Sequence, residues 1–350
     1  MTINKLWRIT FDTNPEDCNL NCIMCEEHSP YSNFKNELYA RLGVRRRVMP
    51  FEWIENIMHE ANQLGVQEII PSTMGEPLIY KHIEDIIALC HEYGIKMNLT
   101  TNGTFSRKSV EDWARLIIPI TSDVKFSWNG ATAETAEKIM HGIDFEQNLH
   151  NCKKFICMRD EHHAKSGHYC RVTMQLTFMQ NNMHELADMV KLAASLGVDR
   201  VKGHHLWVHF AETKHLSMRH DIPTWNRYVT EARHAQETYR KPNGEMVMLE
   251  NIFSLSEMES SHVPDDYECP FLERELWISA EGKISPCCAP DNLRQALGDF
   301  GNIQNTTLHD VLQSDMYQNL VKNYKSIPLC LSCNMRKPVR SLSCTGKKFN

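Results

Sequence analysis

Three cysteines at the spacing CxxxCxxC, Cys18, Cys22 and Cys25, constrain this 350-residue chain more than any other feature. They directly follow a short β-rich run, so a single loop brings three thiolates together. Three such thiolates can bind three irons of a four-iron, four-sulfur cubane and leave the fourth iron without a protein ligand. Zinc prefers four ligands from paired CxxC or CxxC/H units, so a zinc knuckle is the weaker alternative. The loop is predicted to hold a cubane cluster with one open iron.

The chain from this loop onwards alternates short β-rich runs with amphipathic helical stretches. Apolar residues recur at helical spacing over 51–64, 83–93 and 186–196, and a glycine follows each stretch. Strands are predicted at residues 6–11, 66–70, 95–100, 124–127, 172–178 and 200–206. Strand–helix units in series imply a parallel sheet with right-handed crossovers. The predicted fold class is α/β, a partial (β/α)6 TIM-like barrel with its chemistry at the carboxyl ends of the strands.

The composition changes after about residue 220. Residues 221–262 look helical and then polar, while the remainder is punctuated by Gly and Pro and rich in cysteine. A β-hairpin is predicted over 276–285, and one helix around 307–324. We expect three parts: a barrel over 1–220, a helical linker over 221–262 and a small Cys-rich domain over 263–350.

Bulk composition excludes several classes of protein. A net charge of -6 gives no electrostatic case for nucleic acid. The first residues lack the apolar region of a secretory signal, and no apolar run approaches the roughly 18 residues of a membrane helix. We therefore expect a cytoplasmic protein that works without a membrane and keeps its thiols reduced. Thirteen cysteines in that compartment point to metal or redox chemistry.

Further motifs end the next predicted strands. Gly75-Glu76-Pro77 follows the second strand, Thr101-Asn102-Gly103 ends the third, and Ser127-Trp128-Asn129-Gly130 ends the fourth. Together with the cysteine loop, these motifs resemble the radical S-adenosylmethionine (SAM) superfamily over roughly residues 6–209. The resemblance implies a cluster that reduces SAM to methionine and a 5′-deoxyadenosyl radical, which then removes a hydrogen atom from a substrate C–H.

The same resemblance implies which residues bind SAM. They are Met24, Gly75, Glu76, Ser127, Asn129 and His141. Met24 would pack against the adenine, and the Gly-Glu pair would hold the ammonium group. Ser127 and Asn129 would bind the ribose, since an amide can still hydrogen-bond a hydroxyl where many relatives have aspartate. His141, at a position where relatives often have arginine, would bind the carboxylate when protonated.

A second group of cysteines lies in the last quarter of the chain and consists of Cys269, Cys287, Cys330 and Cys333. The predicted hairpin would carry Cys287 back towards Cys269. The pattern resembles the SPASM/twitch extensions of radical SAM enzymes, and the shorter twitch form with one auxiliary four-iron cluster fits better. Its spacing is most similar to that of 2-deoxy-scyllo-inosamine dehydrogenase, a twitch enzyme that oxidises an aminocyclitol alcohol. Four thiolates would saturate the cluster and suit it to electron transfer, although a zinc ribbon is the alternative.

Several other residues are candidates for substrate chemistry. Those that we rank as catalytic candidates are Glu27, His28, His205 and Cys288. Other candidates are the run Arg45-Arg46-Arg47, which could hold a phosphate or carboxylate, and His204 and His209, which lie near the end of the sixth strand. Cys288 and Cys344 are surplus to the cluster patterns, and packing or hydrogen-atom donation would explain either one.

The sequence thus predicts an oxidoreductase that uses SAM and two four-iron clusters, of a kind found in natural-product biosynthesis. It would oxidise a polar small molecule, such as a sugar, cyclitol or nucleotide-type alcohol, and pass an electron to the auxiliary cluster. A flavodoxin- or ferredoxin-type protein would supply electrons. A radical SAM epimerase or a peptide-modifying maturase is an alternative. An iron–sulfur electron carrier or a zinc-binding protein is a non-enzymatic alternative, but it would need no SAM motifs.

Overall fold

The computed structural model describes residues 6–72, 74–256, 263–289, 291–333 and 335–338. Its strands are β1 (Arg8–Phe11), β2 (Asn21–Cys22), β3 (Glu68–Ile70), β4 (Lys96–Thr101), β5 (Thr121–Ser127), β6 (Met140–His141), β7 (Arg171–Phe178), β8 (Arg200–His205), β9 (Met248–Glu250), β10 (Tyr267–Glu268), β11 (Glu275–Ile278), β12 (Ile284–Ser285) and β13 (Lys337–Pro338). Its α-helices are α1 (Phe34–Leu42), α2 (Phe51–Gln63), α3 (Ile83–Tyr93), α4 (Val110–Ile117), α5 (Ala133–Ile139), α6 (Phe145–Ser166), α7 (Leu186–Leu196), α8 (Ile222–Thr238), α9 (Asp291–Arg294), α10 (Leu308–Gln313), α11 (Asp315–Asn323) and α12 (Pro328–Leu331).

One large sheet organises the molecule, in the strand order β12-β11-β1-β3-β4-β5-β7-β8-β9. The six predicted strands are β1, β3, β4, β5, β7 and β8, and each pairs in parallel with the next. Helices connect them, as right-handed crossovers require. The predicted α/β fold class with a parallel sheet is confirmed. Among the described residues, no helix is long and apolar enough to cross a membrane.

The sheet extends beyond the six strands at both edges. Strand β9, from the predicted linker, adds to β8. Strand β11, from the predicted hairpin, runs parallel to β1, with Arg8 opposite Glu275. The hairpin prediction is confirmed by the antiparallel pairing of β11 with β12. The attachment of the hairpin to the barrel sheet was not predicted, because pairing between strands so distant in the chain leaves no local signal.

The helix predicted around 307–324 is wrong in one respect, since the chain forms two helices, α10 and α11. Ser314 separates them with an extended backbone, and its hydroxyl accepts a hydrogen bond from the amide of Tyr317. A serine at this position competes with the helix because its side chain satisfies an amide that α11 leaves free.

The two faces of the sheet differ in chemistry. Apolar residues of each strand, such as Ile9, Leu99 and Val172, are fully buried against the helices. Alternate residues face the inside of the curved sheet and line a cavity, among them Arg8, Lys125, Gln175, Thr177 and Lys202. Because side chains alternate across a strand, the same six strands build both the apolar core and a polar interior.

Candidate functional site

The cluster loop lies between β1 and α1 and is held from both sides. Its short strand β2 pairs antiparallel with β6. The imidazole Nε2 of His28 donates to the carbonyl oxygen of Pro15 at 2.8 Å, so this catalytic candidate ties the loop to the chain that follows β1. Three half-buried, free thiols lie along the loop: Cys18, Cys22 and Cys25.

Burial raises the pKa of all three thiols, to about 12 for Cys25. The nearby carboxylates of Glu76 and Glu27 raise the pKa of Cys18 and of Cys25 further. Thiolates so placed need a bound cation to stabilise their charge. The donor set fits a cluster that leaves one iron free.

The turn after β3 packs directly against the cluster loop. Gly75 has φ of +73°, and a Cβ there would lie 2.4 Å from the carbonyl oxygen of Asn14. Glycine alone avoids both the strain and this clash. The amide of Glu76 donates to the carbonyl oxygen of Asp17 at 2.7 Å, which joins the predicted SAM-ammonium turn to the loop.

The carboxylate of Glu76 is anchored by the end of β4. It accepts from the Thr101 hydroxyl at 2.8 Å, from the Asn102 amide at 2.7 Å and from the Leu78 amide at 3.2 Å. Burial raises the pKa of Glu76 to about 7, and these hydrogen bonds oppose the rise. A carboxylate offers about four lone-pair sites, so one remains for a ligand in the cavity that Glu76 lines.

Ser127 ends β5, Asn129 follows it, and both line the same cavity. The Asn129 Oδ1 accepts from the Thr177 amide at 2.9 Å, which links the ends of β5 and β7. The Nδ2 group is then the part of this side chain that can donate to a ribose hydroxyl. Met24 also lines this cavity, which is the place expected for an adenine contact.

His141 is placed differently from our expectation. It pairs with Asn21 between β6 and β2, and its side chain is exposed. Its neighbour Met140 is buried and lines the cavity that Glu76 also lines. Because successive residues of a strand face opposite sides, this geometry argues against His141 as the carboxylate-binding residue.

Two cavities meet at the carboxyl end of the sheet. The first, which we call the SAM cavity, has a volume of about 440 Å³ and is bordered by the cluster thiols, Glu76 and the strand ends. The second, the outer cavity, has a volume of about 300 Å³. They share the lining residues Met24, Cys25, Met74, Thr177, His204 and Met335. A molecule in the outer cavity therefore lies next to one in the SAM cavity.

The neighbouring histidines of β8 face opposite sides. His204 lines both cavities, and burial lowers its pKa to about 4. His205 points towards the helices, where its ring lies 5.4 Å from that of Phe178 and 4.7 Å from that of Trp225. Burial lowers the pKa of His205 to about 3. The expectation that His205 is catalytic is corrected: it packs in the core, and His204 faces the site.

Glu27 lies on the wall of the outer cavity and is 7% exposed. Its Oε1 accepts from Arg47 Nη2 at 3.3 Å, whereas its buried Oε2 has no hydrogen-bond partner among the residues that the structure describes. Burial raises the pKa of Glu27 well above its usual range. An orphaned buried oxygen beside a cavity is a position where a ligand can donate a hydrogen bond.

The three consecutive arginines have three environments. Arg45 and Arg46 are exposed, and Arg46 holds Asp17 through two hydrogen bonds of 2.6 and 2.5 Å. Arg47 is buried and binds the carboxylate of Glu16 through Nε and Nη2. Arg47 lines the outer cavity, but it is held by Glu16 and Glu27 and not left for an anion.

The second group of thiols is assembled from distant segments. Strand β10 precedes Cys269, and strand β13 follows Cys333; the two strands pair antiparallel. The hairpin of β11 and β12 leads to Cys287, and α12 carries Cys330. The Cys287 thiol lies close enough to the other three for their charges to act on it. The structure thus brings the four cysteines near one another, and their role as cluster ligands stays a prediction.

Cys288 lies beside this group and lines the outer cavity. Burial raises the pKa of its thiol well above the usual range, so the thiol keeps its hydrogen at neutral pH. Cys344, the other surplus cysteine, lies outside the described residues. Within those residues no three His, Cys, Asp or Glu side chains converge on one metal ion, whereas a cubane binds each thiolate at a different iron.

Comparison with known families agrees with this geometry. A model of the radical SAM superfamily matches residues 15–158, and one of an iron–sulfur cluster-binding domain, SPASM, matches residues 269–334. The chain belongs to the radical SAM superfamily. It therefore binds SAM and four-iron clusters, including an auxiliary one. The SPASM match favours iron over a zinc ribbon, and the narrower twitch assignment stays a prediction.

Relatives of this radical SAM protein are named for different substrates. A probable GTP 3′,8-cyclase of Pyrococcus abyssi is 36% identical over 89 residues, 25% of either chain. A PqqA peptide cyclase of Granulibacter bethesdensis is 24% identical over 326 residues, 89% of this chain and 78% of that protein. The solved structure of Streptococcus suis SuiB with SAM has a TM-score of 0.63 at 18% identity, covering 91% and 68% of the two chains. The chain spans only a quarter of the cyclase relative, and the likeness to SuiB concerns the fold.

Sequence reasoning missed several residues of the radical SAM site. Thr177 and Met335 line both cavities. Asp12 and Arg294 line the outer cavity 3.9 Å apart. Thr177 had a signal, because polar residues alternate along β7 towards it. No sequence pattern indicated Arg294, since it reaches the site from the distant C-terminal part.

Proposed function

We propose that this radical SAM enzyme oxidises a polar small molecule held in the outer cavity. One observation carries the proposal: the outer cavity is bordered by both cysteine regions. Met24 and Cys25 of the cluster loop line one side, and Cys288 and Ala289 of the C-terminal part line another. When bound, SAM and the two clusters supply a radical that removes a hydrogen atom and an acceptor for one electron.

The residues of this chain bind the substrate, orient it and exclude water. Met24, Met74, Leu206 and Met335 give the outer cavity apolar walls next to the SAM cavity. Positioning one C–H close to the reacting carbon contributes more than any further chemistry by the protein. The orphaned Oε2 of Glu27 would accept a hydrogen bond from a substrate hydroxyl or amine.

A polar substrate is favoured by the charged side of the cavity. This wall contains Asp12, Glu26, Glu27, Arg47 and Arg294. An apolar molecule would displace water from these charged groups without offering them a hydrogen bond, which is costly. A sugar, cyclitol or nucleotide-type alcohol would supply donors and acceptors. We further propose that a flavodoxin- or ferredoxin-type protein of the cytoplasm delivers electrons.

A second candidate function is modification of a peptide. It is favoured by the likeness to the PqqA peptide cyclase, which extends over 89% of this chain. A SuiB structure of the same fold has been solved with a precursor peptide. Formation of a peptide crosslink is also an oxidation, so the same two cysteine regions would serve it.

Deuterium transfer distinguishes the two substrate classes. Iron-loaded enzyme is incubated anaerobically with SAM, dithionite and deuterated extract of the source organism, separated into a small-molecule and a peptide fraction. The proposal predicts deuterium in 5′-deoxyadenosine with the small-molecule fraction, measured by mass spectrometry. Transfer from the peptide fraction alone would favour the second candidate, and transfer from neither would contradict both.

Solvent deuterium then separates oxidation from epimerisation. Oxidation of an alcohol carbon removes a hydrogen atom, a proton and an electron, and it leaves a carbonyl without hydrogen on that carbon. Epimerisation returns a hydrogen atom from a thiol, which exchanges with solvent. We expect product formed in deuterium oxide to carry no deuterium at that carbon. Incorporation that disappears in Cys288→Ala or Cys344→Ala would show that the enzyme is an epimerase.

A further inference from the structure

Arg336 is a buried cation three residues beyond Cys333 and is only 3% exposed. Its Nε and Nη2 donate to the carbonyl oxygen of Tyr267 at 2.9 and 2.6 Å. Nη2 also donates to the carbonyl oxygens of Pro264 and Asp265, and Nη1 to that of Cys330 at 3.3 Å. All of these acceptors are neutral main-chain groups.

This environment differs from that of the other buried arginines. Arg47 pairs with Glu16, Arg159 with Asp199, and Arg200 with Asp123. In the part of the chain that the structure describes, Arg336 forms no ion pair with a carboxylate. A buried charge is costly without an opposite charge nearby. An opposite charge on a cluster held by the neighbouring cysteines would offset this cost.

Three of the four thiols of the auxiliary site lie near this guanidinium. Arg336 lies close enough to Cys269, Cys330 and Cys333 for its charge to act on all three. Its backbone amide donates to the carbonyl oxygen of Cys333 at 3.2 Å, and with the amide of Met335 it opposes the rise in the pKa of the Cys333 thiol. A cubane with four thiolates carries a charge of about -2, and about -3 once reduced, so net charge and hydrogen bonds set its reduction potential.

We propose that Arg336 is the counter-charge of the auxiliary cluster and raises its reduction potential. A buried positive charge stabilises the reduced cluster more than the oxidised one, because the reduced cluster carries one more negative charge. The auxiliary site is thereby made an electron acceptor. This inference rests on the proposed ligands, Cys269, Cys287, Cys330 and Cys333, and on the proposed oxidation.

The test measures the midpoint potential of the auxiliary cluster. In full-length protein with Cys18, Cys22 and Cys25 changed to Ala, the auxiliary cluster is isolated, and its EPR signal is followed through a redox titration. Arg336→Gln is expected to lower the potential by at least about 59 mV, a tenfold change for a one-electron couple. Arg336→Lys keeps the charge and should stay close to the parent value.

Arg159→Gln is the matched control, because Arg159 is equally buried and also donates to main-chain carbonyls, at Cys170 and Gly197. It should leave the potential unchanged. An intact EPR signal with an unshifted potential in Arg336→Gln would overturn this inference alone. Cluster loss in Arg336→Gln but not in Arg336→Lys would support a need for charge, while loss in both would overturn it. A parent protein with no cluster would overturn the ligand assignment as well.

Discussion

The two cysteine regions differ in how the chain assembles them. One loop after β1 carries Cys18, Cys22 and Cys25, the three thiols proposed as ligands of a cubane. The C-terminal site draws four thiolates from segments between residues 269 and 333, joined by a β-hairpin and by the pairing of β10 with β13. With the proposed ligands, local assembly would leave one iron open for SAM, whereas the distant segments would saturate their cluster.

The charges around the two regions also differ. Burial raises the pKa of the thiols in both. Near the loop, the carboxylates of Glu76 and Glu27 act in the same direction as burial. Near the C-terminal site, Arg336 opposes it. Acidic surroundings favour a cluster that gives up an electron, and a cation favours one that accepts it, which is the direction that the proposed oxidation needs.

Removing each set of cysteines is expected to give the largest and most contrasting effects. Alanine at Cys18, Cys22 and Cys25 should lower the iron content from about eight to about four, since each cubane holds four irons. It should also abolish 5′-deoxyadenosine formation with dithionite. Alanine at the four C-terminal cysteines should remove the same amount of iron but leave slow SAM cleavage. Iron analysis measures the metal content of each variant, and chromatography measures the 5′-deoxyadenosine that it forms. Stoichiometric zinc at the C-terminal site of native protein would show that this region does not hold an iron–sulfur cluster.

A substitution of Glu76 tests whether SAM binding can be weakened while both clusters stay in place. Glu76→Ala removes the proposed ammonium ligand and leaves the Thr101 hydroxyl and the Asn102 amide without their acceptor. We expect at least tenfold weaker SAM binding, about 1–3 kcal/mol, with unchanged iron content. Equilibrium dialysis against labelled SAM measures the affinity.

Glu185→Ala is the control for this change. Glu185 is also a buried carboxylate, and it accepts hydrogen bonds from the hydroxyls of Thr132 and Thr135 and from the amide of Ala131. It lies outside the SAM cavity, so its loss should lower stability but not SAM affinity. Equal affinity in Glu76→Ala and wild type would show that the ammonium group binds elsewhere.

The sequence predicted the locally encoded features best. The six strands of the barrel follow from periodicity, and the cluster loop and the turn at Gly75 and Glu76 follow from motifs within a few residues. Features that depend on distant pairing, such as the addition of β11 to β1, could not be predicted in this way. The same holds for Arg336, whose partners at residues 264–267 are about 70 positions away in the chain.

The direction of a side chain was harder to predict than its place in the chain. His204 and His205 both lie at the end of a predicted strand, yet only His204 faces the cavities, because Trp225 of α8 packs on His205. The same happens at β6, where Met140 faces inward and the predicted His141 is exposed. A shift of one residue in register moves every side chain to the other face, and one sequence alone does not fix that register.

The two regions differ, finally, in what lies behind them. Behind the SAM cavity, the interior of the sheet holds Lys125, whose amine donates to Asn98, and Asn98 donates to Glu68 at 3.0 Å. Behind the auxiliary site, α10 and α11 bury Leu308 and Leu320 in an apolar core. The SAM side is therefore expected to have a stability that depends on this interior lysine.

Burial lowers the pKa of Lys125 to about 7, from an ordinary 10.5. Between these values the unfolded chain keeps a proton that the folded protein has released, so stability rises with pH across this window. Without SAM, wild type should gain about 1–2 kcal/mol more than Lys125→Met between pH 7 and pH 9, since each unit of pKa difference is worth about 1.4 kcal/mol. Anaerobic urea unfolding of iron-loaded protein measures the difference. Lys138→Met, at an exposed surface ion pair, should respond to pH like wild type. A pH response in Lys125→Met equal to that of wild type would mean that Lys125 stays charged in the folded protein and that the SAM side has no such dependence.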